Sequence, residues 1–209
     1  MDHSQTAEAT RRDFLYVATA AVGTIGAAAT LLPLIDQMNP SADVLAQSSI
    51  EVDLAPIQPG QSVTFTWRSH PLFVRRRSPQ EIAEARAVKV EDLLDPLARN
   101  ANFPDNAPAT DDNRLTPRVV PAPAAGAVAA AATPAEKPEW LVLVGVCTHL
   151  GCTPTASTPQ SPQGNYGGWL CHCHGSQYDT AGRVRVGPAP QNLAVPSYAF
   201  LSDTRIKVG

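Results

Sequence analysis

The chain has 209 residues, enough for one modest domain with attachments and too few for a large multidomain enzyme. Its formal net charge of −3 excludes a generally basic nucleic-acid binder and argues against an acidic disordered tail. The 20 prolines predict much turn, loop or linker, while four cysteines are too few for a disulfide scaffold.

The N-terminal region carries an uncharged run of 22 residues, 14–35, directly after Arg11, Arg12 and one aspartate. A helix of that length spans ~33 Å, enough to cross a ~30 Å hydrocarbon core. The two arginines place residues 1–13 in the cytoplasm, and they also resemble a twin-arginine export signal. A cleaved signal peptide is the alternative, but the run exceeds the usual apolar stretch of about 7–15 residues. We therefore expect a retained membrane anchor over residues 14–38.

Residues 39–48 are a small-residue connector that we expect to tether the anchor to a soluble part, residues 49–209. A continuation of the anchor helix by a turn or two is the alternative. The soluble part is predicted to be mainly β, because short alternating or apolar runs recur along it. The predicted strands cover residues 62–68, 72–75, 140–146, 184–186, 198–201 and 205–208.

One helix and one insertion interrupt these strands. Ser78 is a predicted N-cap with Glu81 closing a capping box, and the helix is expected to end near Pro96. Residues 101–137 are rich in Pro and Ala, so we expect a surface insertion that adds little to the core. A partner-binding flap is the alternative for that segment.

Two short segments, 147–152 (CTHLGC) and 171–179 (CHCHGSQYD), hold all four cysteines and three of the five histidines. Three interpretations compete. Two disulfides among the cysteines would leave the histidines idle. A tetrahedral zinc site would use two thiolates and two imidazoles. A two-iron cluster would take two cysteines on one iron and two histidines on the other. The zinc and cluster interpretations share one donor set: Cys147, His149, Cys171 and His174.

These segments, together with the GPAP sequence at residues 187–190, resemble the Rieske iron–sulfur subunits of the alphaproteobacterial ubiquinol–cytochrome c reductase (cytochrome bc) complex. The resemblance is specific over residues 137–209, extends to the anchor and tether, and is weak over 101–137. It implies an antiparallel β-sandwich with a small cluster-binding subdomain at about residues 138–190. It also implies one [2Fe-2S] cluster as the cofactor.

The resemblance assigns roles residue by residue. The cluster ligands are Cys147 and Cys171 on the buried iron and His149 and His174 on the outer iron. The remaining cysteines, Cys152 and Cys173, form a disulfide between the two loops. Hydrogen bonds that raise the potential come from Ser176 and Tyr178. Quinol is contacted by His174, His149 and Leu150. A stiff loop shields the cluster: Gly187, Pro188, Ala189 and Pro190. His172, where many relatives have proline, is not expected to be a ligand.

The resemblance implies a subunit of a proton-translocating quinol–cytochrome c oxidoreductase that cannot turn over alone. It would accept one electron with a coupled proton from quinol and pass the electron to a c-type cytochrome. Expected partners are cytochrome b, the c-type cytochrome, quinol and membrane lipid in a dimeric complex, with no nucleic acid. The expected location is the bacterial inner membrane, with a single span and the soluble domain in the periplasm.

Two other Rieske functions and the zinc site remain as alternatives. The small Rieske subunit of an arsenite oxidase resembles the same pattern and would act as an electron relay. A ferredoxin that feeds an oxygenase is disfavoured by the anchor, the two extra cysteines and the hydroxyl donors. A structural zinc module ranks last because it explains neither Cys152 nor Cys173.

Overall fold

A computed structural model describes residues 10–115 and 137–209 of the chain. In those residues there are three α-helices, two short 3₁₀ turns and ten β-strands. The chain divides into two compact units, one ending at Ala46 and the other running from Gln47 to Gly209. The second unit is called the head below.

The first unit is helical. Helix α1 (Arg11–Asp36) is long and apolar enough to cross a membrane. It begins before the expected residue 14, because Thr10 and Asp13 form a reciprocal capping box that satisfies the first backbone amides. A second helix, α2 (Ala42–Ala46), lies within the expected tether, where no regular structure was predicted. Pro40 separates the two helices and disfavours a helical conformation for the residue before it.

In its described residues the head contains three antiparallel sheets. The first sheet has the order β1-β10-β9 and contains β1 (Ile50–Asp53), β9 (Tyr198–Ser202) and β10 (Arg205–Val208). The second has the order β2-β3-β4 and contains β2 (Ser62–Trp67), β3 (His70–Arg76) and β4 (Trp140–Val144). The third has the order β5-β6-β7-β8 and contains β5 (Thr155–Ala156), β6 (Gly167–Cys171), β7 (Ser176–Asp179) and β8 (Val184–Val186). The mainly β prediction is therefore confirmed.

One apolar core joins the three sheets. It includes Ile206 from the first sheet, Leu141 from the second and Trp169 from the third, each at most 1% exposed. Phe73 of β3 stacks on Trp169 of β6 with ring centroids 5.7 Å apart. Burying a large apolar side chain stabilises a fold by about 1.5–3 kcal/mol, so these contacts hold the third sheet against the sandwich. The antiparallel β-sandwich with its small additional subdomain is the expected Rieske fold.

Helix α3 (Pro79–Ala87) is shorter than expected. Its N-terminal capping box, made by Ser78 and Glu81, is present as predicted, but the expected end near Pro96 is wrong. The buried Arg183 guanidinium donates a hydrogen bond to the Ala85 carbonyl oxygen at 2.8 Å. In a continuing helix, the amide four residues later would have used that oxygen. The hydrogen bond from the Arg183 side chain therefore takes the place of the backbone hydrogen bond that a further helical turn would have made.

The first part of the expected surface insertion is not filler. Ala109, Asp111, Arg114 and Leu115 are all buried. Asp111 accepts hydrogen bonds from both terminal nitrogens of Arg77, at 2.6 and 3.0 Å. The expectation of little core value is thus wrong for residues 109–115, because their polar groups supply partners for charges buried in the head, whereas residues 101–108 are exposed or partly exposed. The rest of that prediction, residues 116–136, lies outside the described residues.

Candidate metal centre

Two tight loops carry the cysteine and histidine motifs. In the first loop, which follows β4, the Gly151 amide donates to the Cys147 carbonyl at 2.9 Å and the Cys147 amide donates to the Cys152 carbonyl at 2.8 Å. In the second loop, between β6 and β7, the Gly175 amide donates to the Cys171 carbonyl at 2.9 Å. Gly151 and Gly175 have φ values of +83° and +78°, a conformation that glycine adopts without strain. These backbone hydrogen bonds and the two glycine turns define the shape of each loop.

The loops bring together two thiols and two imidazoles. Cys147 and Cys171 are free thiols, and each residue is 2% exposed. His149 is partly exposed and His174 is exposed, with their Nδ1 atoms 3.2 Å apart. Two thiols and two imidazoles are the donor types that a Rieske [2Fe-2S] cluster requires, and these two loops supply them, so the residues present fit that group. The same four side chains could hold zinc, and geometry alone does not separate the two metals.

A disulfide between Cys152 and Cys173 joins the two loops, with their Cα atoms 6.8 Å apart. The Cys171 sulfur lies within 4.8 Å of both disulfide sulfurs. The bridge therefore holds the buried thiol of the second loop close to the first loop. Because Cys147 and Cys171 remain free, the interpretation of two disulfides among the four cysteines is wrong.

Hydrogen bonds distinguish the two buried thiols. Burial would raise the pKa of Cys147, but bonds led by the one from the Tyr178 hydroxyl outweigh burial and hold the pKa below its usual value. The Tyr178 hydroxyl donates to Cys147 Sγ at 3.3 Å, and burial raises the pKa of Tyr178. For Cys171, burial dominates and raises the pKa of the thiol. A negative charge is thus better stabilised on the sulfur of Cys147.

The segment of residues 187–190 packs against the start of β7. Gly187, Pro188 and Pro190 are exposed, whereas Ala189 is buried. The Ala189 amide donates to Ser176 Oγ at 3.1 Å, and Ser176 is 1% exposed. The segment expected to shield the cluster therefore contacts a residue expected to tune its potential.

Sequence reasoning missed the residues that fasten these loops to the head. Thr148 Oγ1 donates to the Gln191 carbonyl at 2.7 Å and accepts from the Gln191 amide at 3.2 Å. Asn192 is buried, and its side chain accepts from the Val184 amide at 2.8 Å and donates to the Asp95 carbonyl at 3.0 Å. Thr148 could have been found from its place between two expected ligands. Asn192 gives no comparable signal.

Four buried arginines, called the arginine frame below, were also missed. Arg183 pairs with Asp179 at 2.8 Å, and Arg114 donates only to backbone carbonyls in the bonds that the structure shows. Those carbonyls belong to Ala98, Ala181, Gly182 and Leu193. The members of the frame are Arg75, Arg77, Arg114 and Arg183, and each is at most 1% exposed. Arg75, Arg114 and Arg183 link the chain before residue 116 to β6, to β7 or to the turn after β7. Arg77 instead joins β3 to Asp111 and to the Pro138 carbonyl.

Two further residues of the loops face solvent. Leu150, expected to contact quinol, is 71% exposed. His172 is exposed between the buried Cys171 and the disulfide-bonded Cys173. An apolar side chain this exposed, next to His149, leaves a hydrophobic surface beside the imidazoles.

Comparison with known proteins distinguishes the iron–sulfur cluster from the zinc site. Residues 115–199 match the family model described as "Rieske [2Fe-2S] domain", and residues 1–41 match the one described as "Ubiquitinol-cytochrome C reductase Fe-S subunit TAT signal". The fold, the donor set and the first match define a Rieske protein whose cofactor is a [2Fe-2S] cluster. The second match and α1 describe a membrane-anchored subunit with a twin-arginine signal.

Full-length relatives narrow the class further. The chain is 48% identical over 208 residues to the "Ubiquinol-cytochrome c reductase iron-sulfur subunit" of Rickettsia conorii, covering 100% of this chain and 98% of that one. It is 47% identical to the protein of the same name from Rhodobacter capsulatus, with both chains fully covered. The one from Rhodospirillum rubrum is 46% identical over 97% of this chain and 93% of that one. The chain belongs to the family of ubiquinol–cytochrome c reductase iron–sulfur subunits, and the arsenite oxidase, oxygenase ferredoxin and zinc alternatives lose their support.

Proposed function

We propose that the head takes one electron with a coupled proton from a quinol at the outer face of the bacterial inner membrane. It then passes the electron to a c-type cytochrome, while cytochrome b takes the second quinol electron. The carrying observation is the pair of converging imidazoles, His149 and His174, beside two buried thiols and an exposed leucine. Relatives that are similar over the whole chain bear the name of the iron–sulfur subunit of this reductase.

In this proposal Cys147 and Cys171 hold the inner iron and His149 and His174 hold the outer iron. The cluster, when bound, supplies a one-electron redox centre whose potential is raised by its two imidazole ligands. The Tyr178 hydroxyl donates a hydrogen bond to the Cys147 sulfur. This bond would favour the reduced cluster, which carries more negative charge than the oxidised one. The disulfide between Cys152 and Cys173 keeps the two loops together.

Quinol would meet the exposed face of the same loops. His174 is exposed, and its Nδ1 atom faces the imidazole of His149. Its other ring nitrogen, Nε2, is therefore available to form a hydrogen bond with a quinol hydroxyl. The exposed Leu150 side chain offers an apolar contact to the ring of the quinol. The same side chain offers an apolar contact to a protein that docks on this surface. The segment of residues 187–190 keeps water from the buried side of Ser176.

Anchoring and motion complete the proposal. Arg11 and Arg12 form the export signal, α1 stays in the membrane as a single span, and the head lies in the periplasm of a dimeric complex surrounded by lipid. The head delivers its electron by swinging on residues 39–48. A rigid polyproline replacement of those residues should stop cytochrome c reduction while leaving cluster reduction by quinol intact. Unchanged turnover in that variant would exclude the swing.

The central experiment uses the assembled complex in bacterial membranes. Quinol-dependent reduction of cytochrome c is measured with the unsubstituted chain, with Leu150→Ala and with Leu94→Ala. Leu94 is a matched control, since it is also an exposed leucine at 59%. We expect a rhombic EPR signal of equal size in all three complexes, and a rate that is several-fold lower only for Leu150→Ala. Equal rates in all three would refute the docking role, and absence of an iron signal would refute the cluster assignment.

A further inference from the structure

Gly187 lies closer to Ser176 than any other residue type could. A Cβ at this position would lie 2.5 Å from the Ser176 Cα, 2.8 Å from its backbone nitrogen and 2.9 Å from its Oγ. Two of those three atoms are backbone, so no change of rotamer can relieve the contact. Gly187 also has a φ of +108°, which a side chain disfavours. Close approach and backbone conformation independently require glycine here.

The approach of this segment determines what the Ser176 hydroxyl can do. A serine hydroxyl has one hydrogen to donate and two lone pairs to accept with. One lone pair receives the Ala189 amide at 3.1 Å. The hydroxyl hydrogen is therefore directed away from the segment and is free to point to the metal-binding side. Ser176 also lies directly opposite Cys171, a proposed cluster ligand, in the register of β6 and β7.

The backbone of the segment is fixed by its composition. Pro188 and Pro190 have no amide hydrogen and hold their own φ near −65°. The Ala189 amide is thus the only backbone donor in residues 188–190, and it lies between two rigid residues. An amide that donates to a hydroxyl also polarises its O–H bond and makes that hydroxyl a better donor in turn.

We propose that Gly187 and the Ala189 amide are positioning elements that fix the Ser176 hydroxyl as a hydrogen-bond donor toward the cluster. The segment of residues 187–190 then has a role in setting the midpoint potential in addition to shielding. This inference rests on the proposed ligand assignment, since Ser176 has a cluster to tune only if Cys147 and Cys171 hold it. Adding one methyl group at residue 187 should move Ser176 and weaken that donation.

The test is an EPR-monitored redox titration of the assembled complex. It compares the unsubstituted chain with Gly187→Ala, Ser176→Ala and the double variant. Gly60→Ala is a matched control, because Gly60 also has a left-handed φ, +79°, but only an ordinary contact at 3.9 Å with the Pro159 side chain. We expect a lower midpoint for Gly187→Ala, a shift at least as large for Ser176→Ala, and no further shift in the double variant. The control should keep the original midpoint.

Two results would overturn the inference. One is an unshifted midpoint in Gly187→Ala, and the other is a double variant whose shift is the sum of the single shifts. If Gly187→Ala fails to load a cluster, Ala189→Pro removes the amide hydrogen instead, and the same lowering is expected. An Ala189→Pro protein that keeps the original midpoint, or that also loads no cluster, would equally exclude the role. A missing iron signal in the unsubstituted complex would instead refute the proposed function.

Discussion

The Tyr178 hydroxyl donates a hydrogen bond to Cys147 Sγ at 3.3 Å, and both residues are at most 2% exposed. Tyr178 lies on β7 and Cys147 in the loop after β4, so this bond joins the third sheet to the first metal-binding loop. Because both groups are buried, water does not compete for this hydrogen bond. The bond therefore stabilises negative charge on the Cys147 sulfur more strongly than it would in water.

Tyr178→Phe removes that bond with little change in packing. A hydrogen bond to a charged group is worth about 1.5–3 kcal/mol, and ~59 mV corresponds to a tenfold change in a one-electron equilibrium. We therefore expect a midpoint on the order of 60 mV lower or more, with the cluster retained. EPR-monitored titration measures it. Tyr198→Phe is the control, because Tyr198 is equally buried but donates to the Leu115 carbonyl, and its midpoint should not change.

Arg77→Ala should strongly destabilise the head. Arg77 makes a bidentate pair with Asp111 in which both side chains are at most 1% exposed, so the substitution leaves a buried carboxylate without its main partner. Breaking a buried pair in this way costs about 3–5 kcal/mol. Denaturant unfolding of the full chain in detergent measures the loss. Arg205→Ala, which breaks an exposed pair with Glu51, should change stability by less than ~1 kcal/mol, and equal losses in both variants would contradict the argument.

Asp95 should make the head less stable in acid. Burial would raise the pKa of its carboxyl, but hydrogen bonds from Arg99 and from the Asn192 and Leu97 amides outweigh burial and hold the pKa below its ordinary value of 3.8. A folded-state pKa below the unfolded one stabilises the fold above about pH 4. That stability is lost as the pH falls through the folded-state value.

The check is the free energy of unfolding at pH 7 and pH 3, measured on the apo chain for the unsubstituted protein and Asp95→Asn. The variant should be less stable at pH 7 and should lose less stability on acidification. The exposed Asp105 gives a control, since Asp105→Asn should keep the original difference between the two pH values. An Asp95→Asn protein with that same original difference would show that Asp95 is not responsible.

The disulfide should govern how long the cluster is retained. Cys152 and Cys173 are 21 residues apart in sequence, and a crosslink of that span stabilises a fold by about 3 kcal/mol. The double variant Cys152→Ala and Cys173→Ala should fold and lose iron faster than the unsubstituted chain. Release of iron to a chelator measures the rate. Leu150→Ala, which alters the same loop and keeps the bridge, should release iron at the original rate, and identical rates in all three proteins would argue against a clamp.

Patterns within a few residues predicted much of this fold. The six predicted strands correspond to observed strands, because alternation and apolar runs are local. The capping box at Ser78 is predictable for the same reason, and the Thr10–Asp13 capping box depends on an equally local spacing of three residues. The Cys and His motifs predicted the metal-binding loops because the chemistry limits which side chains can hold iron.

Long-range contacts could not be predicted. Strand β6 begins with two glycines and β7 ends with an aspartate, residue types that are depleted in strands, and the two strands pair because the core beneath them favours it. Arg114 donates to carbonyl oxygens that are distant from it in sequence. Every residue has a carbonyl oxygen, so the sequence does not indicate which of them will accept such a bond. The end of α3 depends on Arg183 in the same way. The arginine frame therefore becomes visible only when the chain is folded.

The first strand of the head pairs with the last. Strand β1 follows the connector directly, and all four of its residues pair with β10, which lies more than 150 residues later in the sequence. Until β10 has been synthesised, β1 has no neighbour in the first sheet, so that sheet closes only after the other strands of the head have been made. A transport route that accepts folded, cofactor-loaded proteins is compatible with a sheet that closes late, and residues 1–41 of this chain match a signal for such a route.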